Sequence, residues 1–450
     1  MTEIVWSITA YVVAVGILVT FHEFGHFWVA RRCGVKVLRF SVGFGRALWS
    51  RRGRDGVEYV LAAIPLGGYV KMLDEREGEV PPELAARAFN RQSLWKRSVI
   101  VIAGPAFNFL LAVAAYWAMY VIGLPDIKPL IAAPPSQSAA AKAGLRDGDR
   151  VLSVDGRSVA NWSQLRTDLV AHSLDGGSIE LRVAGVQGPA RRVVLPLSGV
   201  RVEPEHLFDD LGLMPYQPPL PPLLSEIVAS SPAAAAGFRK GDRLLTYDGH
   251  PIVSWQNFAA YVHAHPDRSL AVTVARDGRR LQLDLRLGHQ SDDRSTGFFG
   301  AAVAADPRLW QSLRADQRLG PVPAVPAALA QTWRMSALTL KLVGRIFTGG
   351  LSLSNLGGPI RTAEAAGFSA QMGVAAFLSF LAFVSVNLGL INLFPVPVLD
   401  GGHLLFYGVE AVRGSPLSER AQALGQQVGF TLLVLLIGIV FYNDIASLVG

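Results

Sequence analysis

The amino-acid sequence predicts a polytopic α-helical membrane protein with four transmembrane helices, a re-entrant β element and two exterior α+β domains. Three observations support this fold class. The 450 residues contain four long uncharged stretches, one ungapped internal repeat, and a segment rich in β-branched and aromatic residues between the first two uncharged stretches. Half of the residues are apolar and only 17% are charged, which is typical of a chain that crosses a lipid bilayer several times.

Each of the four uncharged stretches is long enough to cross a bilayer. A hydrocarbon core about 30 Å thick requires roughly 20 helical residues. The stretches cover residues 4–21, 98–125, 365–399 and 421–443. The first could also be a signal peptide, but no positively charged segment precedes it and no small-residue cleavage site follows it. We therefore expect a retained helix with its N-terminus outside.

The distribution of charge predicts the orientation in the membrane. Residues 31–97 contain fourteen Lys and Arg against seven Asp and Glu, so the positive-inside rule places them in the cytoplasm. Four spans then place residues 126–364 outside and 400–420 inside. Cytoplasmic loops that face the anionic lipid bilayer explain the formal net charge of +7, and no basic cluster interleaved with aromatic residues indicates nucleic-acid binding.

The internal repeat indicates two copies of one exterior domain. The segments SAAAKAGLRDGDRVLSVDGRSVANWSQL, from Ser138, and SPAAAAGFRKGDRLLTYDGHPIVSWQNF, from Ser231, align without gaps at an offset of 93 residues. Each contains a small-residue helix start, a Gly-Asp-Arg turn, a short apolar strand and an Asp-Gly hairpin turn. The pattern resembles the PDZ domains of bacterial envelope proteases. Such domains bind an extended peptide or its C-terminal carboxylate, for which residues 211–214 and 297–300 are candidate loops; ordinary strand ends are the alternative.

The segment between the first two spans changes to a strand pattern. VKVLRFSVGFGRALWS and VEYVLAAIPLGGYVKML flank the turn-rich RRGRDG, which is typical of a hairpin or small sheet. The apolar part is too short to span a membrane and too apolar for a free cytoplasmic loop. We expect a re-entrant β element whose edge can hold a substrate chain in extended form.

The stretch HEFGH at the end of the first span places ionisable groups where hydrocarbon should surround the helix. His22 and His26 are four residues apart, so on a helix they project from one face and can bind one metal ion, with Glu23 beside them as a base that is not a ligand. An ionisable side chain near mid-bilayer costs roughly 2.5–3.5 kcal/mol, so three within five residues are hard to retain unless they bind something. The alternative is a pair of histidines satisfied by hydrogen bonds between helices.

A catalytic zinc ion normally has three protein ligands and one open position, so a third ligand must come from elsewhere. The third span ends in NLFPVPVLDGGH, whose prolines and glycines stop a continuous helix and leave unpaired backbone at membrane depth. Asp400 is the carboxylate of this span, on the cytoplasmic side where His22 and His26 lie. His403 is a rival ligand, but a fourth ligand would close the site, so we assign it a structural role nearby. Cys33, the single cysteine, is expected to be a bystander at the membrane edge.

The chain resembles the site-2 protease family of intramembrane zinc metalloproteases. The features that carry the resemblance are HEFGH, NLFPVPVLDGG and the two PDZ-like repeats between the second and third spans. The likeness covers essentially the whole chain and is closest to the bacterial type that acts in the σE envelope stress pathway. It implies that His22, His26 and Asp400 bind Zn2+, that Glu23 is the general base, and that Asn392 helps to hold the substrate backbone.

The resemblance also implies substrates and location. Gly43, Phe44 and Gly45 match the family's β element that receives the substrate strand. Asn387 offers a further polar group to such a strand, with packing between helices as an equal alternative. The implied substrates are single-span membrane proteins of the anti-sigma factor type that have already been cut outside, and also remnant signal peptides. The implied location is the bacterial inner membrane, with the PDZ domains in the periplasm and the active site towards the cytoplasm.

The predicted organisation has nine parts. They are a first span with the H-E-x-x-H motif (1–32), a cytoplasmic segment with a re-entrant hairpin (33–97), a second span (98–125), a first PDZ domain (126–218), a second PDZ domain (219–308), a linker with an interfacial amphipathic helix (309–364), a third span with the Leu-Asp-Gly motif (365–402), a cytoplasmic loop (403–420) and a fourth span (421–450). The amphipathic helix is expected over residues 327–347, with Arg334, Lys341 and Arg345 on one face.

Two other functional classes explain less of the sequence. A metal transporter should contain several ionisable clusters along a path, whereas the sequence contains one, in the cytoplasmic half. A membrane-tethered PDZ scaffold leaves the charged membrane site unexplained. We therefore expect hydrolysis of a locally unwound substrate span, with the exterior repeats excluding substrates that carry bulky exterior domains.

Overall fold

The computed structural model describes residues 2–185, 188–197, 206–289, 294–304, 307–349, 351 and 357–449. Parts of the predicted first PDZ domain and of the predicted linker, residues 198–205 and 352–356, therefore lie outside the described residues. The helices are α1 (Thr2–Arg32), α2 (Leu94–Ile122), α3 (Ala139–Lys142), α4 (Trp162–Ser173), α5 (Leu207–Leu211), α6 (Pro232–Ala235), α7 (Trp255–His263), α8 (Pro307–Leu313), α9 (Pro321–Phe347), α10 (Pro359–Gln371), α11 (Val374–Leu393), α12 (Asp400–Arg413) and α13 (Glu419–Val449).

The strands are concentrated between α1 and α2 and between α2 and α9. They are β1 (Val37–Arg52), β2 (Glu58–Met72), β3 (Arg150–Val154), β4 (Arg157–Ser158), β5 (Ser178–Ala184), β6 (Ala190–Pro196), β7 (Leu224–Ile227), β8 (Arg243–Tyr247), β9 (His250–Pro251), β10 (Ser269–Arg276), β11 (Arg279–Arg286), β12 (Gly288–His289), β13 (Gly297–Phe298) and β14 (Ala301–Val303).

Four helices of the described chain are long and apolar enough to cross a membrane. They are Ile4–Arg32, Leu94–Ile122, Val374–Leu393 and Glu419–Ala446. The predicted polytopic helical fold with four transmembrane helices and separate β-rich regions is confirmed. Each segment contains at least 18 predominantly apolar residues in a row, which is the property that identified it in the sequence.

The chain around the predicted third span is not one continuous helix. Residues 365–402 comprise the end of α10, a break at Gly373, all of α11, and a turn before α12 begins at Asp400. Gly373 has a φ of 107°, which side chains with a Cβ rarely adopt. Pro395 and Pro397 lack the N–H that would continue α11. The predicted loop over 403–420 is helical over residues 403–413, because α12 continues to Arg413.

The segment between α1 and α2 forms a sheet from two bent strands. Each strand contributes two segments, which lie side by side in the order 47–52, 58–62, 39–42 and 68–72. Gly43 and Gly45, with φ of 91° and 85°, permit the bend in β1. The last segment, 68–72, lies at the edge of this sheet, and β2 packs against α1.

The two repeats have the same fold. The first repeat (residues 126–218) contains a sheet with the order β4-β3-β5-β6, and the second repeat (residues 219–308) contains β9-β8-β10-β11. Asp155 and Asp248 have φ of 44° and 45° in the matching Asp-Gly turns. The ungapped sequence repeat is therefore a repeated structure, turn for turn.

The two loops predicted to bind a peptide carboxylate, residues 211–214 and 297–300, occupy equivalent positions in the two repeats. Gly212 and Gly300 both have positive φ, and each packs against the serine that caps a short helix in its own repeat, Ser138 or Ser231. A Cβ at either glycine would lie within 2.3 Å of the serine Cβ. Binding of a peptide at these loops stays a prediction.

Helix α2 lies at the centre of the membrane helices and contacts α1, α9, α11 and α12. Small residues allow this packing: a Cβ at Gly25 on α1 would lie 2.4 Å from the Ala103 carbonyl oxygen on α2. Helix α9 begins six residues before the predicted amphipathic helix. Its Lys341 Nζ lies 2.7 Å from an Asp175 oxygen, and Arg345 donates to the Leu174 carbonyl, so this basic face contacts the first repeat.

Candidate active site

Two histidines of α1 and the first residue of α12 converge at one point. His22 Nε2 and His26 Nε2 are 3.2 Å apart, and Asp400 Oδ2 lies 3.3 Å from the former and 3.4 Å from the latter. The side chains are only 11%, 12% and 17% exposed. Within the described residues, this is the group of His, Cys, Asp and Glu side chains whose ligand atoms gather closely enough to hold a metal ion.

The spacing of these three atoms fits a tetrahedral zinc ion. Ligands placed 2.0–2.2 Å from Zn2+ at the corners of a tetrahedron are about 3.3–3.5 Å from one another. The three observed distances match one face of such a tetrahedron and leave its fourth corner free. Asp400 Oδ2 is buried and accepts no hydrogen bond from the described residues, although both ring nitrogens lie within 3.4 Å. The three atoms thus approach one another as ligands of a shared ion do.

Glycine at position 104 lets α2 pass close to the two histidines. A Cβ at Gly104 would lie 2.2 Å from His26 Nε2 and 2.8 Å from His22 Cε1. Any other residue would therefore displace the rings from their present position. In the sequence this glycine is marked only by a Gly-Pro pair inside an otherwise apolar span, and it was not among the predicted site residues.

Helix α2 also orients both rings through their other nitrogens. His26 Nδ1 lies 2.9 Å from the Ile100 carbonyl oxygen, to which it donates. At His22, Asn108 Nδ2 lies 3.0 Å from Nδ1, while Asn108 Oδ1 is buried and has no hydrogen-bond partner among the described residues. After a half-turn of this amide, His22 Nδ1 donates to Asn108 Oδ1. In that arrangement both Nε2 atoms keep a lone pair, as metal ligation requires.

Asn108 contacts His22 and was not among the site residues predicted from the sequence. Its side chain is fully buried, and its backbone carbonyl accepts a hydrogen bond from Ser385 on α11 at 2.7 Å. An isolated amide in the run GPAFNFLL was the available signal, since a polar residue facing the interior of a helical bundle needs a partner. The hydrogen bonds between helices that were considered as an alternative for His22 and His26 do exist, but they use the nitrogens that face away from Asp400.

The turn between α11 and α12 positions Asp400. Cβ atoms at Gly401 and Gly402 would lie 2.2 Å from the Phe394 carbonyl oxygen and 2.3 Å from Pro397 Cα, so the Gly-Gly pair lets α12 begin directly against the turn. The Pro-x-Pro sequence ends α11 and Asp400 follows at the first position of α12. The helix break predicted from the prolines and glycines therefore lies directly before Asp400, and it brings the Asp400 carboxylate next to the two histidines.

Glu23 lies beside the three converging residues and next to the sheet edge. It follows His22 on α1 and is not a member of the converging group. Its carboxylate interacts with the backbone of Val70, and a Cβ at Gly68 would lie 3.2 Å from Glu23 Cγ. The edge segment 68–72 of β2 is therefore adjacent to the carboxylate of Glu23, the residue predicted to be the base.

The remaining predicted residues lie in several places. Asn392 lies in the last turn of α11, half-buried, and its amide has no hydrogen-bond partner among the described residues. Asn387 donates to the Phe383 carbonyl oxygen and contacts Thr339 of α9 at 2.9 Å, in keeping with packing between helices. Gly43 and Gly45 form the bend of β1, and the Phe44 ring between them stacks on Tyr69 with ring centres 6.3 Å apart.

His403 and Cys33 are not part of the converging group. The His403 ring lies near those of Phe406 and Tyr407 on its own helix, at centroid distances of 6.4 and 6.5 Å. Cys33 is a free thiol just beyond the end of α1 and packs at the edge of a cluster that includes Phe27.

Comparison with known proteins identifies the family. The model of peptidase family M50 matches residues 10–436. The chain belongs to peptidase family M50. The family membership predicted from HEFGH, the Pro-rich turn and the repeats is thereby confirmed, and the protein is a peptidase with membrane-spanning helices.

Several members of the family are similar over their whole length. A protein from Salmonella typhimurium named "Regulator of sigma-E protease RseP" is 43% identical over 452 residues, covering 100% of both chains. The Escherichia coli protein of the same name has the same identity and coverage. A Pasteurella multocida protein named "Putative zinc metalloprotease PM1991" is 41% identical over 98% of this chain and 99% of its own. A solved PDZ domain of an SdrC-like protein from Listeria monocytogenes is similar to 20% of this chain, with 92% of its own length covered, 19% identity and a TM-score of 0.17.

Proposed function

We propose that this member of family M50 is a zinc metalloendopeptidase that cleaves the transmembrane segment of single-span membrane proteins. The observation that carries the proposal is the convergence of His22 Nε2, His26 Nε2 and Asp400 Oδ2, 3.2–3.4 Å apart, in a membrane helix and beside Glu23. Relatives with names that include zinc metalloprotease and regulator of sigma-E protease support it.

In this proposal His22, His26 and Asp400 hold the zinc ion. Their spacing, the unpartnered carboxylate oxygen and the outward hydrogen bonds of both rings support the assignment. When bound, zinc acidifies a water molecule and polarises the carbonyl of the scissile peptide. A site with three protein ligands leaves room for this chemistry, which agrees with the exclusion of His403 from the group.

Glu23 is the proposed general base. It removes a proton from the attacking water, whose oxygen forms a bond with the carbonyl carbon, and it delivers that proton to the leaving amine as the C–N bond breaks. Its position next to His22, outside the converging group, suits a residue that must move a proton without being held as a ligand.

The sheet edge at residues 68–72 is the proposed place of the substrate backbone. A helical substrate hides its carbonyls in i to i+4 hydrogen bonds, so the segment must unwind before cleavage. Pairing with the edge of β2 replaces those hydrogen bonds in a medium that contains little water. Asn392, whose amide has no hydrogen-bond partner in the described part of the chain, is proposed to bind the same backbone. Gly43, Phe44 and Gly45 form the bend of β1 and are proposed to help receive the substrate strand.

We further propose an orientation and a cellular role. In this orientation the catalytic groups lie towards the cytoplasm and the two repeats lie in the periplasm of the bacterial inner membrane, and the basic segment 31–97 supports it through the positive-inside rule. The names of the relatives, which refer to regulation of sigma-E, support a substrate linked to that regulation. We infer an anti-sigma factor that has already been cut outside, and remnant signal peptides are a further proposed class. Lys341 and Arg345 of α9 contact the first repeat. We propose that the repeats, held in this way, form a barrier that excludes substrates with bulky exterior domains.

The test is cleavage of a single-span substrate by the purified full chain in lipid nanodiscs, with zinc measured by atomic emission. We expect about one zinc ion per chain, loss of cleavage with 1,10-phenanthroline and recovery when zinc is added back. Glu23→Gln serves as the inactive control. Equal cleavage by metal-free protein would refute the metalloprotease assignment, and zinc flux into proteoliposomes without cleavage would favour a transporter.

A further inference from the structure

The outer strand of the sheet between α1 and α2 lies at the opposite edge from the segment next to Glu23. This outer strand, residues 47–52, pairs with residues 58–62 on one side only, whereas residues 68–72 form the other edge of the sheet. Every residue from 44 to 52 is exposed. The proposed substrate strand pairs with residues 68–72, so it does not account for the exposed outer strand.

The pairing of the strands places the outer strand at a defined depth along α1. A Cβ at Gly68 would lie 3.0 Å from Val19 Cγ1, near the middle of that helix. Gly68 pairs with Val42, and Val42 pairs with Leu61. Leu61 in turn pairs with Trp49, so one row of residues across the sheet joins Trp49 to the level of Val19. Because α1 is one of the four membrane-spanning helices, this row lies at the depth of the hydrocarbon.

The other end of the outer strand reaches the end of α1. Arg31 Nη1 lies 2.8 Å from an oxygen of Asp55, which belongs to the turn that follows the strand. Val19 and Arg31 are twelve residues apart, a distance of about 18 Å along a helix. The strand therefore runs from hydrocarbon depth at Trp49 to the end of the first span at Arg52.

Two exposed tryptophans mark the membrane boundary at the same level. Trp28 lies one turn before the end of α1 and Trp95 is the second residue of α2, and they are 43% and 76% exposed. Lys96 Nζ donates to the Cys33 carbonyl oxygen at 3.2 Å, so the start of α2 is level with the end of α1. Exposed tryptophans are typical of the boundary between hydrocarbon and headgroups. The turn after the outer strand lies at this boundary.

Three arginines without a partner lie where the outer strand reaches this boundary. They form the arginine cluster, Arg51, Arg52 and Arg54, all exposed and without an ion pair or side-chain hydrogen bond within the described residues. The two carboxylates of the same hairpin are already paired. Asp55 pairs with Arg31, and Glu58 pairs with Arg39, each at 2.8 Å. The hairpin therefore presents three positive charges within four residues and no free carboxylate to balance them.

We propose that the outer strand binds acidic phospholipids of the adjoining bilayer leaflet, with the arginine cluster against their phosphates and Leu48 and Trp49 among their acyl chains. Leu48 and Trp49 are 68% and 53% exposed, and both precede the cluster on the side of the hydrocarbon. Guanidinium groups donate paired hydrogen bonds to phosphate, and each basic side chain near an anionic surface adds to the attraction. A zwitterionic headgroup brings a cation of its own, for which the hairpin has no free carboxylate. Bound lipid would hold the whole sheet at this depth, including the edge beside Glu23.

The test measures which lipid lies next to the outer strand of the full-length chain and does not depend on catalysis, so the Glu23→Gln protein can be used. A bimane fluorophore is attached at Ser50→Cys, with Cys33→Ser to leave one thiol, in nanodiscs of phosphatidylcholine and phosphatidylglycerol. In parallel samples one lipid or the other carries a nitroxide quencher on its acyl chain, at the same mole fraction. We expect phosphatidylglycerol to be enriched at the probe by about fivefold or more. Salt at about 1 M should reduce this enrichment, because it shortens the screening length to about 3 Å.

Substitutions separate the arginine cluster from positive charge in general. Arg52→Gln should lower the enrichment of phosphatidylglycerol, and the triple change of Arg51, Arg52 and Arg54 to Gln should abolish it while both lipids still quench. Arg46→Gln is the matched control, because it removes the same charge from the same strand at the end nearer the bend. This variant should keep the preference. Thermal unfolding of each variant shows whether it is folded.

The comparison of the two lipids uses the chain with all its arginines, so it decides the inference even if a variant fails to fold. Equal quenching by the two lipids would overturn the inference, as would an unchanged preference in the folded triple variant. Quenching by neither lipid would also overturn it, because the strand would then lie outside the bilayer. In that case a response of the probe to soluble polyglutamate would assign the arginine cluster to an acidic protein.

Discussion

Arg97 on α2 and Glu410 on α12 form a two-point ion pair, with nitrogen to oxygen distances of 2.5 and 3.1 Å. The side chains are 14% and 16% exposed, and the Arg97 guanidinium lies 4.9 Å from the centre of the Tyr407 ring. Helix α12 begins with Asp400, and α2 carries the groups that hydrogen-bond both histidines. This pair therefore holds the helix of the carboxylate against the helix that orients the two imidazoles.

We expect Glu410→Gln to weaken zinc retention and cleavage together without abolishing either. Loss of a charged hydrogen-bond partner costs about 1.5–3 kcal/mol, which loosens α12 and allows Asp400 to drift. Zinc affinity, measured by competition with a chelator, and the cleavage rate should fall in parallel. Glu419→Gln, a change of the same kind at the exposed first position of α13, should leave both unchanged. A variant that loses activity with unaltered zinc affinity would contradict this positioning role.

Glu23→Gln is expected to retain zinc and lose cleavage. The substitution keeps the shape of the side chain and all three proposed ligands but removes the base, which contributes about 10²–10⁴-fold to the rate. Zinc content and single-turnover cleavage on the same preparation are the two measurements. Turnover near the wild-type rate would mean that another group moves the proton.

Asp400→Ala and His403→Ala are expected to differ, although both positions lie in the first turn of α12. The first variant loses one of three ligands and should release zinc to a weak chelator, because two histidines hold the ion poorly. The second should keep its zinc, because His403 lies outside the converging group. If His403→Ala released zinc while Asp400→Ala did not, the third ligand would be reassigned.

Asn108→Leu should lower zinc affinity, and Asn108→Asp should largely restore it. Removing the partner of a metal-binding histidine typically costs about 10–100-fold in affinity, because the ring loses its orientation and its tautomer. An aspartate accepts the His22 Nδ1 proton as the amide oxygen does. Affinity should be measured with thermal unfolding as a control for packing; equal losses in both variants would indicate that Asn108 acts only through its shape.

Replacing residues 129–312 with a short Gly-Ser linker should leave cleavage of a trimmed substrate largely intact and permit cleavage of an untrimmed one. The ends of this deletion are adjacent, since the Lys128 N–H donates to the Leu313 carbonyl oxygen at 2.7 Å. The control is the full chain with the same two substrates. The full chain should cleave only the trimmed substrate. If the shortened protein held zinc but no longer cleaved the trimmed substrate, the repeats would recruit substrates and not exclude them.

Local features of the chain were readable from the sequence for a simple reason: they depend on residues that are close together along it. The four-residue spacing of His22 and His26 puts them on one helix face wherever that helix lies. Absence of charge over about 20 residues identifies a span, because no other environment tolerates so few polar groups. Prolines and glycines near Asp400 predicted a break in the helix, and the ungapped repeat predicted two copies of one fold.

Tertiary structure alone decided which distant groups meet. Asp400 lies 378 residues from His22 along the chain, and only the packing of α12 on α2 brings their ligand atoms within 3.3 Å. Asn108, Ile100 and Gly104 acquire their roles because α2 passes behind the imidazoles; in the sequence they are ordinary members of an apolar run. Lys341 and Arg345 contact the first repeat only because that domain packs against α9. Helix periodicity and hydropathy are short-range properties, whereas the position of one helix against another depends on many side chains fitting together at once.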